Sequence, residues 1–322
     1  MARKPNQATA APPIRRDIKA RIGTDVARRV RDGHPWIFAS ALKGRDLPAQ
    51  AGKCLDVIDE AGRFAGRAVL EPEGKPLLRV FCAIPGQELD ARYVLRTLEQ
   101  CLGLRRRLLQ PGPLECFRLV NGDSEGLPGV TVDRYADYLV VSQSTPLARV
   151  YQEALLDGLE KVVAPRGIYL QRRFAPPGAG KARPGAELVR GGIAPNELLV
   201  TEGRFRYLVD VTAPVGTGIF PDMRHGRRLV AGLAGGRRVL NCFSYTGAFS
   251  LVAAASGASQ VVSVDSAARA HARARRNFSE NGLDPEASNM EFVTGDAFAV
   301  ASRLAQRNRR FDLIIADPPT FS

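Results

Sequence analysis

The chain has 322 residues, 45% of them hydrophobic and 25% charged, and a formal net charge of +13. That length buries two or three cores, and that composition belongs to a folded globular protein rather than a disordered or fibrous one. No apolar run approaches the roughly 18 residues a membrane-spanning helix needs, and residues 1–17, polar and holding Pro5, Pro12 and Pro13, read as a disordered basic tail rather than a secretion signal.

In chain order, residues 1–40 carry nine Lys/Arg against three Asp/Glu. Such a surplus attracts a polyanion through phosphate contacts and counterion release; free arginine usage in a GC-rich genome is the competing explanation. Arg15, Arg16, Lys19, Arg21, Arg28, Arg29 and Arg31 are the candidate nucleic-acid contacts. Residues 18–85 then show short strand-like runs at 20–22, 54–58, 64–70 and 77–80, broken by Gly52, Gly62 and Gly66, a pattern that fits a small β-barrel. His34-Pro35-Trp36-Ile37-Phe38 places the single tryptophan in an apolar run, where a core position is the first expectation and a base-stacking platform the second.

Residues 89–109 have helical spacing and end on Arg105-Arg106-Arg107, cations that suit a helix carboxyl end. A hairpin at 129–133 and 138–142, a helix at 147–163 and a strand at 168–171 complete a small α/β domain over residues 86–200. Asp123, Glu125 and Asp133 stand among Gly and Pro and read as turn residues. Nine of the 22 residues from 175 to 196 are Gly or Pro, which suggests an exposed connection. Residues 198–201 and 205–210 form a hairpin leading into a last domain, residues 201–322, whose first helix is expected at 224–233.

That last domain carries the chemistry. Four strand-like runs end in polar residues at Asn241, Asp265, Asp296 and Asp317, with 24, 31 and 21 residues between successive ends. Each interval holds a loop, a helix and the next strand, and the runs are continuously apolar, as in parallel strands covered on both faces. The fold class is therefore α/β, a Rossmann-like domain with about four parallel strands, behind a small barrel and a small α/β domain. In such sheets ligands bind at the carboxyl ends of the strands. Asp265 is placed to accept from a ribose diol. The first turn, Asn241-Cys242-Phe243-Ser244-Tyr245-Thr246-Gly247, has one glycine where a dinucleotide site uses three for its pyrophosphate, so the cofactor expected is S-adenosylmethionine, a nucleoside without phosphates, rather than NAD. Asp296 is positioned for the adenine amine, with Ala297 and Phe298 against the ring and an N-cap as the alternative role. Ser266 follows Asp265 as a cofactor-side residue and the expected cap of the next helix. In Asp317-Pro318-Pro319-Thr320-Phe321 the prolines leave bare carbonyls facing the pocket, Asp317 can hold the polar edge of a flipped base as well as border the cofactor, and Phe321 can stack on that base.

The five cysteines, Cys54, Cys82, Cys101, Cys116 and Cys242, show no paired spacing, and His34, His225 and His271 lie far apart, so reduced thiols, a cytoplasmic location and no metal site are expected.

The motifs Asn241 to Gly247, Val262-Ser263-Val264-Asp265 and Asp317-Pro318-Pro319 resemble those of bacterial class I S-adenosylmethionine-dependent large-subunit ribosomal RNA methyltransferases. The likeness extends to residues 34–38 and 122–135, and so covers nearly the whole chain. It implies that residues 18–85 are an RNA-binding PUA domain, that 23S ribosomal RNA is the partner, and that the product is cytosine methylated at C5; it leaves the oligomeric state open, a homodimer included. Relatives carry Lys-Thr-Gly, two aromatics and Asp-Gln-Arg where this chain has residues 216–224. Thr217, Gly218, Phe220, Asp222 and Arg224 match, whereas Gly216 and Met223 replace Lys and Gln. By resemblance this loop closes over the methionine end of the cofactor, with Phe220, Asp222 and Arg224 as contacts. Cytosine C5 chemistry needs a cysteine thiolate. The resemblance places it after a fifth strand, beyond Ser322, so the chain is expected to be cut short and to leave apolar surface on its fourth strand. The Asp-Pro-Pro-Thr-Phe-Ser form of the last motif is closer to guanine-N7 relatives, which makes that base the alternative, and a catalytically incompetent RNA-binding fragment is the alternative of another class.

Overall fold

The computed structural model describes residues 19–44, 47, 50–71, 74–109, 114–174, 185–214 and 216–319. They divide into two compact units, residues 1–89 and 90–322.

In the first unit, β1 (Lys19–Arg21), α1 (Thr24–Arg31), β2 (Trp36–Ile37), β3 (Cys54–Ile58), β4 (Phe64–Leu70) and β5 (Leu78–Cys82) build a five-stranded sheet ordered β1-β3-β4-β5-β2. Ile22, Ile37, Leu55, Val57, Leu70 and Leu78 fill its core. Helix α1 gave no sequence signal because only Ala27 and Val30 are buried, too narrow a stripe to register as a period. Trp36 is not in the core. Side chains alternate across a strand, and with Ile37 inward, Trp36 is 43% and Phe38 47% exposed.

Two of the proposed RNA contacts have internal work. Arg31 donates to Asp59 at 2.9 Å, beside Arg63 at 2.8 Å, and Asp59 itself is wholly buried. Arg21 donates to the Glu60 carbonyl at 2.8 Å. Lys19, Arg28 and Arg29 are exposed, Arg28 lying 3.7 Å from Asp25, while Arg15 and Arg16 fall outside the described residues. Burial opposes ionisation of Asp59, but the Arg63 backbone N–H and the Arg31 and Arg63 guanidiniums outweigh it and hold its pKa at about 2. A depressed carboxyl contributes stability above its unfolded pKa and loses it as pH falls through the folded one. Acid unfolding of this unit should therefore steepen between about pH 4 and 2, and Arg31→Ala should move that loss to higher pH, read by circular dichroism of the full chain; superimposable acid curves would remove Asp59 from the account.

In the second unit, α2 (Ala91–Leu108) begins at Asp90, whose carboxylate accepts from the Tyr93 N–H at 2.8 Å. It is followed by β6 (Cys116–Asn121), β7 (Val130–Tyr135), β8 (Tyr138–Gln143), α3 (Gln152–Val163), β9 (Gly167–Arg172) and β10 (Glu187–Gly191). These strands form one sheet, ordered β10-β9-β8-β7-β6, in which only β8 and β9 run parallel. Two strands depart from the sequence reading. β6 is bulged between Arg118 and Val120, and β10, inside the Gly/Pro-rich stretch, between Leu188 and Arg190. A bulge breaks the alternation by which a strand is recognised. Asp133 lies within β7, not in a turn, and Arg118 grips it at 2.9 and 3.2 Å.

The hairpin β11 (Leu198–Glu202) and β12 (Phe205–Val209) leads to α4 (Arg224–Leu233), and then β13 (Arg238–Cys242), α5 (Ala248–Ala255), β14 (Gln260–Asp265), α6 (Ala268–Glu280), β15 (Met290–Thr294), α7 (Ala297–Gln306) and β16 (Leu313–Ala316) alternate regularly. The last four strands form a parallel sheet ordered β15-β14-β13-β16. One apolar cluster, including Tyr135, Tyr169, Tyr207, Val252 and Phe278, runs through the central sheet, the hairpin and helices α5 and α6, which makes residues 90–322 one unit. At the sheet edge Ile314 of β16 is 62% exposed.

Candidate active site

Strand order reverses between β13 and β16, and the crevice of such a sheet opens at the carboxyl ends beside that point. Three successive departures from ordinary backbone shape the first turn: Phe243 (φ 58°), Tyr245 (φ 49°) and Gly247 (φ 75°) are left-handed. Two non-glycine residues in that region store strain, which clusters where a turn must present backbone to a ligand. Gly247 has no alternative, since a Cβ there would lie 2.9 Å from the Ala274 Cβ. α5 therefore starts hard against α6, with its free N–H groups at the crevice.

Asp265, at the end of β14, is fixed from both sides. Its Oδ2 accepts from the Tyr245 N–H at 2.8 Å and its Oδ1 from the Ala267 N–H at 2.9 Å. The carboxylate thus ties the turn after β13 to the start of α6 and keeps lone pairs for a diol. This also corrects the expectation for Ser266: α6 has Ala267 as its N-cap, the Asp265 carboxylate satisfies that N–H, and Ser266 is exposed. Asp296 caps α7 through Oδ1 on the Ala299 N–H at 2.9 Å, and its Oδ2 has no partner among the described residues. Beside it Ala297 is buried and Phe298 is 75% exposed, its ring 6.1 Å from that of Phe243 in an edge arrangement. These two rings form an edge-to-face pair beside the Asp296 carboxylate.

Asn241 works beneath the site. It is 1% exposed, and its amide donates to Ser250 Oγ at 2.9 Å, which in turn accepts from Ser263 at 2.7 Å. Ser244 Oγ meets His271 Nε2 at 3.2 Å, and His271 Nδ1 meets Thr294 Oγ1 at 3.3 Å. Burial lowers the pKa of this imidazole, so it is a neutral bracket between the first and third strand ends. Thr246 and Tyr245 reach the other way: Thr246 donates to the Gly218 carbonyl, and Tyr245 OH donates to the Gly216 carbonyl at 2.8 Å. The Phe220 and Tyr245 rings stand 5.7 Å apart. The loop over residues 216–223 is thereby anchored on the turn. A Cβ at Gly216 would lie 3.1 Å from the Tyr245 hydroxyl, a tighter approach than most Cβ contacts.

Asp222 and Arg224 turn elsewhere. Asp222 accepts from Arg118 at 2.8 Å, which joins the loop to β6 and, through the same guanidinium, to Asp133. Arg224 lines a cavity with Glu202, Arg227 and Arg228. Asp317, Pro318 and Pro319 follow β16 and are exposed, and Phe321 lies outside the described residues. Sequence reasoning missed Arg118, His271 and Asn277, whose amide donates to the Thr246 carbonyl at 3.0 Å and accepts from the Leu208 N–H at 2.9 Å. No local spacing marks them, because these partners lie 15 to 104 residues away. Among the described residues no group of three or more His, Cys, Asp or Glu could hold a metal, and no helix is long and apolar enough to cross a membrane.

Residues 158–322 match the family model for S-adenosylmethionine-dependent methyltransferases, and residues 21–82 that for PUA-like domains. The chain belongs to the S-adenosylmethionine-dependent methyltransferases. Within them it is 34% identical to the ribosomal RNA large subunit methyltransferase I of Serratia proteamaculans and 35% to that of Yersinia pseudotuberculosis, each over 292 residues, 89% of this chain and 72% of the relative. Among solved structures, a protein of Streptococcus mutans described as a SAM-dependent methyltransferase superposes with a TM-score of 0.81 at 27% identity, over 94% of this chain and 77% of that one. Another methyltransferase structure, complexed with SAH, gives 0.81 at 26% identity over 95% and 77%. The methyltransferase uses S-adenosylmethionine, as read from Asp265 and the single-glycine turn, and is an enzyme of α/β fold preceded by a PUA-like domain.

Proposed function

We propose that this methyltransferase transfers a methyl group from S-adenosylmethionine to C5 of a cytosine in 23S ribosomal RNA. The observation that carries the reading is the continuous similarity, across 89% of the chain, to relatives named ribosomal RNA large subunit methyltransferase I, together with the PUA-like match ahead of the catalytic domain. Asp265 accepts from the ribose hydroxyls, Asp296 Oδ2 from the adenine amine, and Phe243 and Phe298 offer the ring apolar contact. The turn over residues 244–247, under the loop carrying Phe220, receives the amino-acid end. The cofactor, when bound, supplies an electrophilic methyl group. Asp317 and the carbonyls of Pro318 and Pro319 hold the polar edge of the flipped base, and Lys19, Arg28 and Arg29 meet the RNA backbone.

Attack at C5 requires a thiolate adduct at C6. The cysteines of residues 90–322 are unsuited to it: burial pushes the Cys101 thiol to about 12, Cys116 well up, and Cys242 up. In the first unit burial takes Cys54 to about 11. Cys242, at the end of β13, packs against Leu240 and Val264 and is a core residue. By the resemblance the thiolate comes from a cysteine after a fifth strand, so the reading is tested on protein that includes that strand, by incubation with protein-free large-subunit ribosomal RNA and methyl-labelled cofactor followed by nucleoside digestion. Labelled 5-methylcytidine is the expected product; 7-methylguanosine would replace the assigned base, and no product from RNA that is nevertheless bound would replace the enzyme with a binding protein.

A further inference from the structure

A concavity with no role assigned to it lies between α4, the β11–β12 hairpin and α5. It holds about 170 Å³ and is walled by Glu202, Arg204, Phe205, Arg224, Arg227 and Arg228, with aliphatic side chains completing it. Four arginines thus face one carboxylate, and that carboxylate is already used. Glu202 and Arg227, both buried, form a two-point pair at 2.8 and 2.5 Å. Arg204, Arg224 and Arg228 make no ion pair among the described residues. Burial, and then the repulsion of Arg228, lower the pKa of Arg224, so the cations crowd one another across a half-enclosed space. Arg204 lies 4.9 Å above the Phe205 ring, a flat cation–aromatic surface at the rim.

Cations so placed are stable with an anion between them. The walls say which kind: a charged floor beside an apolar and aromatic side suits a nucleotide unit, phosphate on arginine and base against the Arg204–Phe205 pair, better than a fully hydrated inorganic ion. We propose that this cavity is a second RNA contact of the methyltransferase, seating a backbone phosphate and its unstacked nucleotide while the target base is at the crevice. The inference rests on the RNA reading of the proposed function and adds a site to it.

Its test uses the full chain and protein-free large-subunit ribosomal RNA in binding titrations over a range of salt. Arg204 and Arg228 are exposed, so Arg204→Gln with Arg228→Gln leaves the fold intact, which the melting curve verifies. Each lost phosphate contact lowers the salt slope of log K by about 0.7–0.9. The double variant should therefore bind RNA roughly tenfold more weakly at low salt with a slope reduced by about one to two, and SAH titration should give an unchanged affinity. Arg228→Lys in the Arg204→Gln background, keeping a point charge, should recover part of the slope. RNA binding by the double variant with unaltered slope and affinity overturns this site alone. Absence of RNA binding by the unaltered chain overturns it together with the RNA reading.

Discussion

Asp265→Ala is expected to weaken cofactor affinity at least a hundredfold and to bring methyl transfer below detection. The carboxylate accepts from the backbone N–H groups of Tyr245 and Ala267, at 2.8 and 2.9 Å, and in the proposed complex from the ribose hydroxyls as well. A hydrogen bond to a charged group contributes about 1.5–3 kcal/mol, so losing two to the ribose costs about 3 kcal/mol or more, and about 1.4 kcal/mol is tenfold in affinity. A second loss adds to the first. The turn holds Phe243 and Tyr245 in left-handed backbone, and the Asp265 bond to Tyr245 is among the few that keep it there. Asp265→Asn separates shape from charge. An asparagine has one acceptor oxygen, so with backbone donors on both sides it must turn its amide group against an N–H, and it should be nearly as damaging as alanine. Calorimetric titration with SAH measures both variants. Affinity for either within threefold of the unaltered chain would remove Asp265 from the ribose site.

The parts legible in the sequence were those whose cause is local. Parallel strands sandwiched by helices are continuously apolar, so β13, β14 and β16 announced themselves, and the polar residue ending each was placed with them. Asp296 was legible as the cap of α7, because capping links residues only three positions apart. Elements that alternate poorly were lost: bulged β6 and β10, and α1 with its two buried residues. Asp222 and Asn241 were placed by their strand or loop, but the sequence could not say which way their side chains turn. Arg118 is 104 residues from Asp222, and Ser250 claims the Asn241 amide only because α5 packs over β13. Long-range polar partners leave no periodicity, and they decide whether a polar residue at a strand end faces the ligand or the core.

The same limitation hid Arg227, whose replacement should have the largest effect on stability. Arg227→Met is expected to lower the unfolding free energy of the second unit by about 3–5 kcal/mol, since breaking one partner of a buried ion pair leaves the other charged and dry. Glu202 keeps 7% of its side-chain surface and Arg227 3%, and the pair is closed at two points, so neither charge reaches water when the other is removed. Glu202→Gln should cost less, because a neutral amide still accepts from the guanidinium. Joining it to Arg227→Met should recover part of the loss, the coupling between close partners being positive in such a cycle. The pair also reaches the crevice: Arg227 donates to the Phe220 carbonyl at 3.0 Å, holding the carboxyl end of the loop over residues 216–223 while Tyr245 and Thr246 hold its start. Arg227→Met should therefore raise the KM for S-adenosylmethionine even at temperatures where the variant is fully folded, whereas Glu202→Gln, which leaves that bond in place, should not. Denaturant unfolding and initial-rate kinetics on the three variants separate the two effects. A KM that tracks stability across all of them would reduce Arg227 to a core residue with no hold on the loop.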